Sequence, residues 1–591
     1  MKAFFKSFFA SLLALFVAGG LAFVLFIGFV AALGSSGKPT VPSKAVLVFD
    51  LGTNLMDAER DPEPSEAISE VMGGGGSHSQ SLPTVIETLD RAASDSHITG
   101  LYLTGNLQGA GPAQLRELRE AIQRFKAKKP VLAYNMGWTK RDLYLTAGTS
   151  TLFINPFGNM EVNGLASEPM FFGEAFKKYG IEVQVTRVGK YKSAVEPFIL
   201  DRMSDANREQ IQKLLEDIWG EWKDTVAKDR KKTPADLQII ADEKGLVDAD
   251  EAKSLGLVDR VAPYDEVLTE LKKLGGKQPK DKDFPQISLA TYAGIPGGGR
   301  TGKARIAVVV AEGEIVDGEG KGAQVGGERL SRELRQLRLD DRVKAVVLRV
   351  NSPGGSASAS ELIQREVVLT KKVKPVVISM GHLAASGGYW ISTYGDRIFA
   401  EPTTITGSIG VFGLLPNVKK LANEHGITWD SIQTAKLANP MTLTRPKTDL
   451  ELARIQGQVD HIYDQFLTKV ADSRKLKKDA VHEIAQGRVW SGQEAVKLGL
   501  VDELGGLEAA LKHAAKMAKV ENDFYVAGPD KEPDAFKELL KSLGKDKSRR
   551  LTKAGPVEAL SDSFHLQLER LSALNDPKGI YTRLPFDLEL K

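Results

Sequence analysis

The chain has 591 residues, of which 42% are hydrophobic and 26% charged, and its formal net charge is +3. Because a single core stops growing at roughly 250–300 residues, at least two domains are expected. The sequence has no cysteine, which excludes disulfides and a thiol nucleophile, and its eight scattered histidines predict no metal site and no cofactor. No basic stripe interleaved with aromatic residues is present, which argues against nucleic acid as a partner.

An uncharged run from Ser7 to Gly37 follows Lys2 and Lys6 at the amino terminus. The run is longer than the roughly 20 apolar residues that span a bilayer. The lysines on its amino side predict a cytoplasmic amino terminus and an exported remainder. We therefore predict that residues 1–38 are a cytoplasmic stub and a single-pass membrane anchor. A long cleavable signal peptide is the alternative, and it also exports the remaining chain.

The exported region contains the same pattern twice. The apolar runs Ile98–Leu103 and Val343–Leu348 each follow an amphipathic helical stretch, and the phrase LGLVD occurs at Leu255–Asp259 and at Leu498–Asp502. Short buried strands alternating with helices predict an α/β fold. The predicted organisation is a first α/β domain over 44–274, a linker over 275–303, a second α/β domain over 304–520 and a charged C-terminal extension over 521–591.

The second copy carries a candidate nucleophile and a candidate oxyanion hole. Ser352–Gly355 (SPGG) follows a strand, and the N–H groups of such a turn can bind an anion, although a plain turn is the alternative. Ser386 lies in a run of small residues at the predicted start of a helix, where free N–H groups favour negative charge. The first copy has Arg141 at the position aligned with Ser386.

The first copy carries a candidate general base. Lys192 stands in a run that also contains Tyr, Val, Ala and Phe, and burial there would lower its pKa toward that of a usable base. The second copy has Ala435 at the aligned position. A serine hydroxyl needs a neighbouring base, and Ser-Lys pairs are known variants of the catalytic triad. Lys190 and His382 remain alternative bases, and a solvated surface lysine is the alternative for Lys192.

Four motifs in order resemble those of the long bacterial form of the signal peptide peptidase SppA family. They are YKSAVEPF at Tyr191–Phe198, SPGG at Ser352–Gly355, AASGGYW at Ala384–Trp390 and TGSIG at Thr406–Gly410. The resemblance implies two tandem crotonase/ClpP-like α/β domains after an N-terminal transmembrane helix.

The resemblance also implies a role for individual residues. Ser386 would be the nucleophile, Lys192 the general base, and the N–H groups of Gly354 and Gly387 the oxyanion donors. Ser408 would hold and position the lysine. No cofactor is implied.

The implied enzyme is a serine endopeptidase of the bacterial inner membrane with its catalytic region in the periplasm. Its partners would be remnant signal peptides, other extended apolar peptides and further copies of the chain, as a homo-oligomer and specifically a tetramer. Two alternatives remain open at this point: a crotonase-like acyl-CoA enzyme and a catalytically silent membrane scaffold.

Overall fold

The computed structural model describes residues 40–58, 79–297, 302–521, 523–529 and 580–584. From Pro42 onward, these residues belong to one compact unit. The predicted membrane anchor, 1–38, lies outside the described residues. Within those residues, none of the helices combines the length and the apolar character that crossing a bilayer requires.

The first copy and the segment after it contain twelve strands and ten α-helices among the described residues. The strands are β1 (Ala45–Asp50), β2 (Asn54–Met56), β3 (Ser79–Ser81), β4 (Ile98–Thr104), β5 (Gln108–Gly109), β6 (Val131–Asn135), β7 (Thr151–Ile154), β8 (Asn159–Val162), β9 (Glu182–Val188), β10 (Gly245–Asp248), β11 (Arg260–Val261) and β12 (Gln286–Ser288). The helices are α1 (Leu82–Ser94), α2 (Pro112–Lys126), α3 (Lys140–Thr146), α4 (Gly173–Lys178), α5 (Glu196–Ile199), α6 (Asp205–Arg230), α7 (Pro234–Glu243), α8 (Ala249–Ser254), α9 (Tyr264–Leu274) and α10 (Leu289–Ala293).

The second copy and the described C-terminal segments follow the same plan. The strands are β13 (Ala304–Glu312), β14 (Glu314–Val316), β15 (Gln324–Gly326), β16 (Val343–Ser352), β17 (Gly354–Ser356), β18 (Val376–Ala385), β19 (Arg397–Ala400), β20 (Ile405–Gly407), β21 (Val411–Asn417), β22 (Val489–Ser491), β23 (Glu503–Leu504), β24 (Phe524–Ala527) and β25 (Ile580–Arg583). The helices are α11 (Gly327–Leu339), α12 (Ala357–Lys371), α13 (Gly387–Ser392), α14 (Lys419–Glu424), α15 (Asp449–Arg474), α16 (Lys478–Ile484), α17 (Gly492–Lys497) and α18 (Leu507–Met517).

Each copy is built on a parallel sheet with the same strand order. The first sheet runs β11-β7-β6-β4-β1-β12, and the second runs β23-β19-β18-β16-β13-β24, with β20 and β22 continuing from the far half of β18. Both sheets are covered by helices, so their central strands are apolar on both faces; Ala345–Leu348 in β16 is fully buried. The predicted α/β duplication is confirmed.

Two predicted boundaries differ from the structure. The segment 275–303, predicted as a linker, contains β12, which pairs in parallel with β1. The segment 521–591, predicted as an extension, contains β24, which pairs with β13, and β25, which pairs with β17 and β21. Strands of three or four residues carry too little periodicity to be recognised locally, yet they satisfy the unpaired backbone groups of a sheet edge.

A third sheet joins the two copies and positions the functional site. Its order is β15-β14-β17-β25-β21-β9. Strand β9 of the first copy pairs antiparallel with β21 of the second copy over seven residue pairs, from Val188 opposite Val411 to Glu182 opposite Asn417. The chain that leaves β9 is thereby delivered to the carboxyl end of β18.

Candidate active site

Ser386 connects the end of strand β18 to the start of helix α13, as predicted. Its backbone has φ 55° and ψ −111°, which a residue with a Cβ adopts only at a cost on the order of 1–3 kcal/mol. The conformation is held by the Ser386 N–H, which donates to Gly407 O at 2.8 Å, and by the Ser386 carbonyl, which accepts from Trp390 N–H at 2.8 Å. The side chain is completely buried.

Lys192 follows β9 and reaches Ser386 from the first copy. Its Nζ lies 2.8 Å from Ser386 Oγ and 3.0 Å from Ser408 Oγ, and it also donates to the carbonyl oxygens of Ser408 and Arg583. Ser408 itself has a positive φ of 48°, and its N–H donates to Arg488 O at 2.7 Å. The structure therefore brings together the three side chains predicted for nucleophile, base and lysine positioning.

Burial keeps the ammonium form of Lys192 unfavourable. The residue is fully buried, and this desolvation lowers its pKa well below the ordinary lysine value, with the positive charge of Arg583 acting in the same direction. Among the described residues no carboxylate offsets these two effects at Lys192. A neutral amine beside a serine hydroxyl can accept its proton.

Two glycines that were not predicted make room for the lysine stem. A Cβ on Gly487, whose φ is +81°, would lie 2.7 Å from the Cβ and the backbone nitrogen of Lys192. A Cβ on Gly410 would lie 3.1 Å from Lys192 Cδ. Gly410 belongs to the TGSIG motif, whereas only tertiary structure relates Gly487 to the lysine.

The two alternative bases do not form hydrogen bonds with Ser386. Lys190 is exposed, and its Nζ lies 5.0 Å from the ring centre of Tyr191. His382 is half-buried, and its ring packs against Gly111 of the first copy.

The predicted oxyanion donors lie side by side. A Cβ on Gly354, whose φ is +97°, would lie 2.6 Å from Gly387 N. The Gly354 N–H donates to Ser352 Oγ at 3.2 Å, so an incoming carbonyl oxygen would have to compete with that hydroxyl. A Cβ on either glycine would crowd the carbonyl oxygen of Thr582, which shows that both line one narrow space.

That space is filled by strand β25, which sequence analysis missed. It lies between β17 and β21 and is antiparallel to both. Thr582 is fully buried, the Tyr581 ring centre is 5.8 Å from that of Phe412, and Leu584 N–H donates to Pro353 O at 2.6 Å. The segment IYTR at Ile580–Arg583 contains β-branched and aromatic residues, which favour a strand. We call the space between β17 and β21 the strand slot.

Comparison with known proteins identifies the family of the chain. The model of Peptidase family S49 matches residues 123–278 and 369–521, one segment in each copy. "Protease 4" of Salmonella typhi is 33% identical over 94% of this chain and 92% of its own length, and "Protease 4" of Haemophilus influenzae is 34% identical over 95% and 94%. "Serine protease SPPA, chloroplastic" of Arabidopsis thaliana is 34% identical over 74% of this chain and 66% of its own.

A solved structure, that of a ClpP1 mutant from Listeria monocytogenes, aligns with 35% of this chain and 94% of its own at 16% identity, with a TM-score of 0.24, too low to bear on the fold. The family match covers more than half of the chain, and two relatives above 30% identity extend over nearly all of it. The chain therefore belongs to peptidase family S49 and is a serine protease.

Proposed function

We propose that the chain is a membrane-anchored serine endopeptidase in which Ser386 is the nucleophile and Lys192 the general base. The observation that carries this proposal is the 2.8 Å approach of Lys192 Nζ to Ser386 Oγ in a fully buried site. Burial supplies the neutral amine, and the position of Ser386 at a strained strand-to-helix turn supplies a fixed hydroxyl. On this proposal each copy has a crotonase/ClpP-like fold.

The mechanism has two halves. In the first, neutral Lys192 takes the Ser386 proton while Oγ attacks a peptide carbonyl carbon, and the oxyanion accepts from the N–H groups of Gly354 and Gly387. Each such donor is typically worth about 3–4 kcal/mol. The Lys192 ammonium, held by Ser408, then gives its proton to the leaving amine. In the second half the lysine activates a water that hydrolyses the acyl ester, and Ser386 recovers its proton.

The proposed substrates are extended apolar peptides, above all remnant signal peptides. The strand slot supports this, because a peptide placed there would pair with β17 on one side and β21 on the other, as β25 does. The apolar run before residue 38 supports anchoring in the bacterial inner membrane with the site in the periplasm, where such peptides are released.

The proposed partner in assembly is a second copy of the chain. Helices α4 and α14 are equivalent in the two copies, so 428–434 corresponds to β9 and 165–171 corresponds to β21. Unlike β9 and β21, these two segments form no backbone hydrogen bonds among the described residues. All of 428–434 is exposed, and the β9–β21 register would place Trp429 opposite Met170, which are 47% and 62% exposed. Head-to-tail pairing of this kind forms a ring when the rotation between copies closes, and the proposed ring is a tetramer.

The assembly can be tested by cross-linking, because the chain has no cysteine. The double variant Trp429→Cys with Met170→Cys should form disulfide-linked oligomers up to four chains under mild oxidation. Either single variant serves as the control and should form no ladder. A double variant that stays monomeric while the protein elutes as an oligomer would show that a different surface forms the contact.

The proposed function is tested by peptidase assay of the full chain in detergent with a fluorogenic apolar peptide. We expect Ser386→Ala and Lys192→Ala each to lose at least about a thousandfold in kcat/KM, because nucleophile and base act as a unit. Lys190→Ala should stay within about twofold of the parent. An active Lys192→Ala variant would reject the proposed base. If the parent protein binds peptides without cleaving them, the catalytically silent membrane scaffold is favoured. If it hydrolyses an acyl-CoA thioester, the crotonase-like acyl-CoA enzyme is favoured.

A further inference from the structure

The first copy holds a cavity where the second copy holds its catalytic cleft. The cavity has a volume of about 300 Å³ and lies at the end of β5 and the start of α3. Strand β5 is equivalent to β17, because β5 pairs in parallel with β2 in the same way that β17 pairs in parallel with β14. Helix α3 is equivalent to α13. We call this space the first-copy cavity.

No hydroxyl nucleophile stands at the equivalent position in this cavity. Thr146 Oγ1 in α3 donates to Asp142 O, and Ser392 Oγ in α13 donates to Gly388 O in the same way. This register of the helix ends places Lys140, and not Arg141 as aligned from the sequence, at the position of Ser386. The helix starts place Thr139 there instead, and its Oγ1 is already engaged, donating to Asp142 Oδ2 at 2.8 Å. The first-copy cavity therefore retains the shape of a peptide site without its chemistry.

The cavity wall carries the positive charge of Arg141, on which the negative charge of Asp142 acts without a direct salt bridge. Arg141 donates through Nη2 to the carbonyl oxygens of Gly109 and Ala110, and among the described residues no carboxylate forms a salt bridge with it. The carboxylate on the wall, Glu221, is already bound by Arg116 at 2.6 Å and by the Tyr144 hydroxyl at 3.0 Å. Arg141 is half-buried and no carboxylate of the described segments contacts it directly, so an anionic ligand in the cavity would add a charge-assisted hydrogen bond.

A second polar group on the wall has a ring nitrogen without a hydrogen-bond partner among the residues that the structure describes. His382 is half-buried, but its Nδ1 atom is shielded from solvent and forms no hydrogen bond with any described residue. Burial, helped by the charge of Arg141, lowers its pKa to about 4, so the imidazole is neutral near pH 7 and one ring nitrogen carries a proton to donate. Unsatisfied buried polar groups are uncommon in native proteins and point to a missing partner.

Part of the cavity wall is apolar and belongs to the same apolar cluster as residues beside the catalytic cleft. Leu165 and Ile218 line it, and both also pack in the apolar cluster that contains Ala385, next to the nucleophile, and Leu584, at the end of the strand slot. The chain in the slot runs from Ile580 toward Leu584. A peptide bound in the same direction would therefore extend its carboxyl-terminal end toward the first-copy cavity.

We propose that the first-copy cavity binds the terminal α-carboxylate of an apolar peptide whose upstream part lies in the strand slot. This proposal rests on the proposed function, because it assumes that substrates enter the slot in the direction of β25. A peptide already severed from its precursor ends in a free carboxylate, whereas an internal stretch of an intact polypeptide does not. The cavity would thus let the enzyme favour released fragments over intact proteins.

Binding to the full-length Ser386→Ala variant tests the proposal without turnover. One fluorescent apolar peptide is used in two forms, with a free C-terminal carboxylate and with a C-terminal amide, and affinity is read by anisotropy. We expect the carboxylate form to bind about tenfold more tightly than the amide form, because one hydrogen bond to a charged group contributes about that factor to affinity. Adding Arg141→Gln should remove the difference, and Arg141→Lys should retain part of it. All variants should bind the amide equally, which controls for misfolding.

Equal affinity for the two forms, or a preference that survives Arg141→Gln, would overturn the proposal. Competition by dodecanoate as strong as that of the peptide acid would also overturn it, since the cavity would then recognise a fatty acid. Failure of the proposed function is seen separately, in the parent protein. If the parent cleaves both peptide forms with the same KM, the carboxylate site is rejected and the proposed peptidase function stands. If the carboxylate form binds more tightly but neither form is cleaved, the peptidase function is rejected and the carboxylate site stands.

Discussion

At the scale of single residues, the reactivity of Lys192 depends on neighbours that allow it to be buried. Its stem passes two glycines, and its amine meets two serine hydroxyls and no carboxylate among the described residues. A lysine in water would be protonated and could not act as a base near neutral pH. The packing around the stem is therefore as necessary to the proposed chemistry as the amine.

Gly487→Ala should lower kcat/KM by about a hundredfold or more while the protein stays folded. The added methyl group would lie 2.7 Å from Lys192 Cβ, on a backbone whose φ of +81° is strained for alanine, so the lysine must shift away from Ser386. The measurement is peptidase activity beside a thermal melt. Gly457→Ala is the matched control, because no atom lies near a Cβ there. Full activity in Gly487→Ala would show that the lysine position tolerates displacement.

Arg583→Gln should move the rising limb of the pH profile of kcat/KM to higher pH. Only the free amine of Lys192 is reactive, so activity rises with pH through its pKa, and the positive charge of Arg583 lowers that pKa. Removing the charge of Arg583 raises the pKa of Lys192, so the rising limb of the kcat/KM profile moves to higher pH by the same amount. The profile of kcat should stay in place, because in the complex the substrate occupies the slot. A limb that stays or moves to lower pH would contradict this electrostatic role.

At the scale of elements, strand β25 both completes the third sheet and fills the slot that the proposed substrates need. It is antiparallel to β17 and β21, and it touches the amine of Lys192 through Arg583. Two chains cannot pair with the same strand edges at once. A peptide must therefore displace β25 before it can reach Ser386.

Removal of residues 580–591 should raise kcat/KM several-fold, mainly through a lower KM. Removal of 585–591 alone leaves β25 in place and is the control, expected to behave like the full chain. A peptide with the sequence IYTRL, from 580–584, should inhibit the shorter chain competitively. Loss of activity and of thermal stability on removing 580–591 would show instead that β25 is a structural strand that substrates do not displace.

At the scale of the whole molecule, the two copies are also joined by buried charges. Arg349 on β16 of the second copy lies 2.8 Å from Asp57 and 2.5 Å from Glu117 of the first, and all three are buried. Opposite charges offset the desolvation of each ion only while all partners are present. The network therefore couples the folding of the two copies.

Arg349→Ala should reduce the free energy of unfolding by roughly 3–5 kcal/mol, because two buried carboxylates lose their counter-ion. Chemical denaturation followed by tryptophan fluorescence measures the change. Arg332→Ala is the control, since its ion pair with Glu319 is exposed and should change the free energy of unfolding very little. Equal small effects in both variants would mean that water or rearrangement satisfies the buried carboxylates.

The sequence alone was sufficient for the duplication, for the α/β class and for naming Ser386 and Lys192 as the candidate pair. Strands such as β4 and β16 are long apolar runs, and the motifs around Ser386 and Lys192 are contiguous in the chain. Both features can therefore be recognised from a short stretch of sequence. The differences between the copies pointed to Ser386 and Lys192, whereas Ser408 was named only through the family resemblance. Sequence did not place β12, β24 or β25, because strands this short are stabilised by partners that are distant in the chain.

Tertiary structure alone decided how these parts meet. Lys192 and Ser386 are separated by 194 positions, and the pairing of β9 with β21 is what brings them within 2.8 Å. The lowered pKa of the lysine, the passage beside Gly487, the occupied slot and the cavity at Arg141 all arise from packing between the copies. Burial and long-range backbone pairing are properties of the folded chain, and no local stretch of residues specifies them.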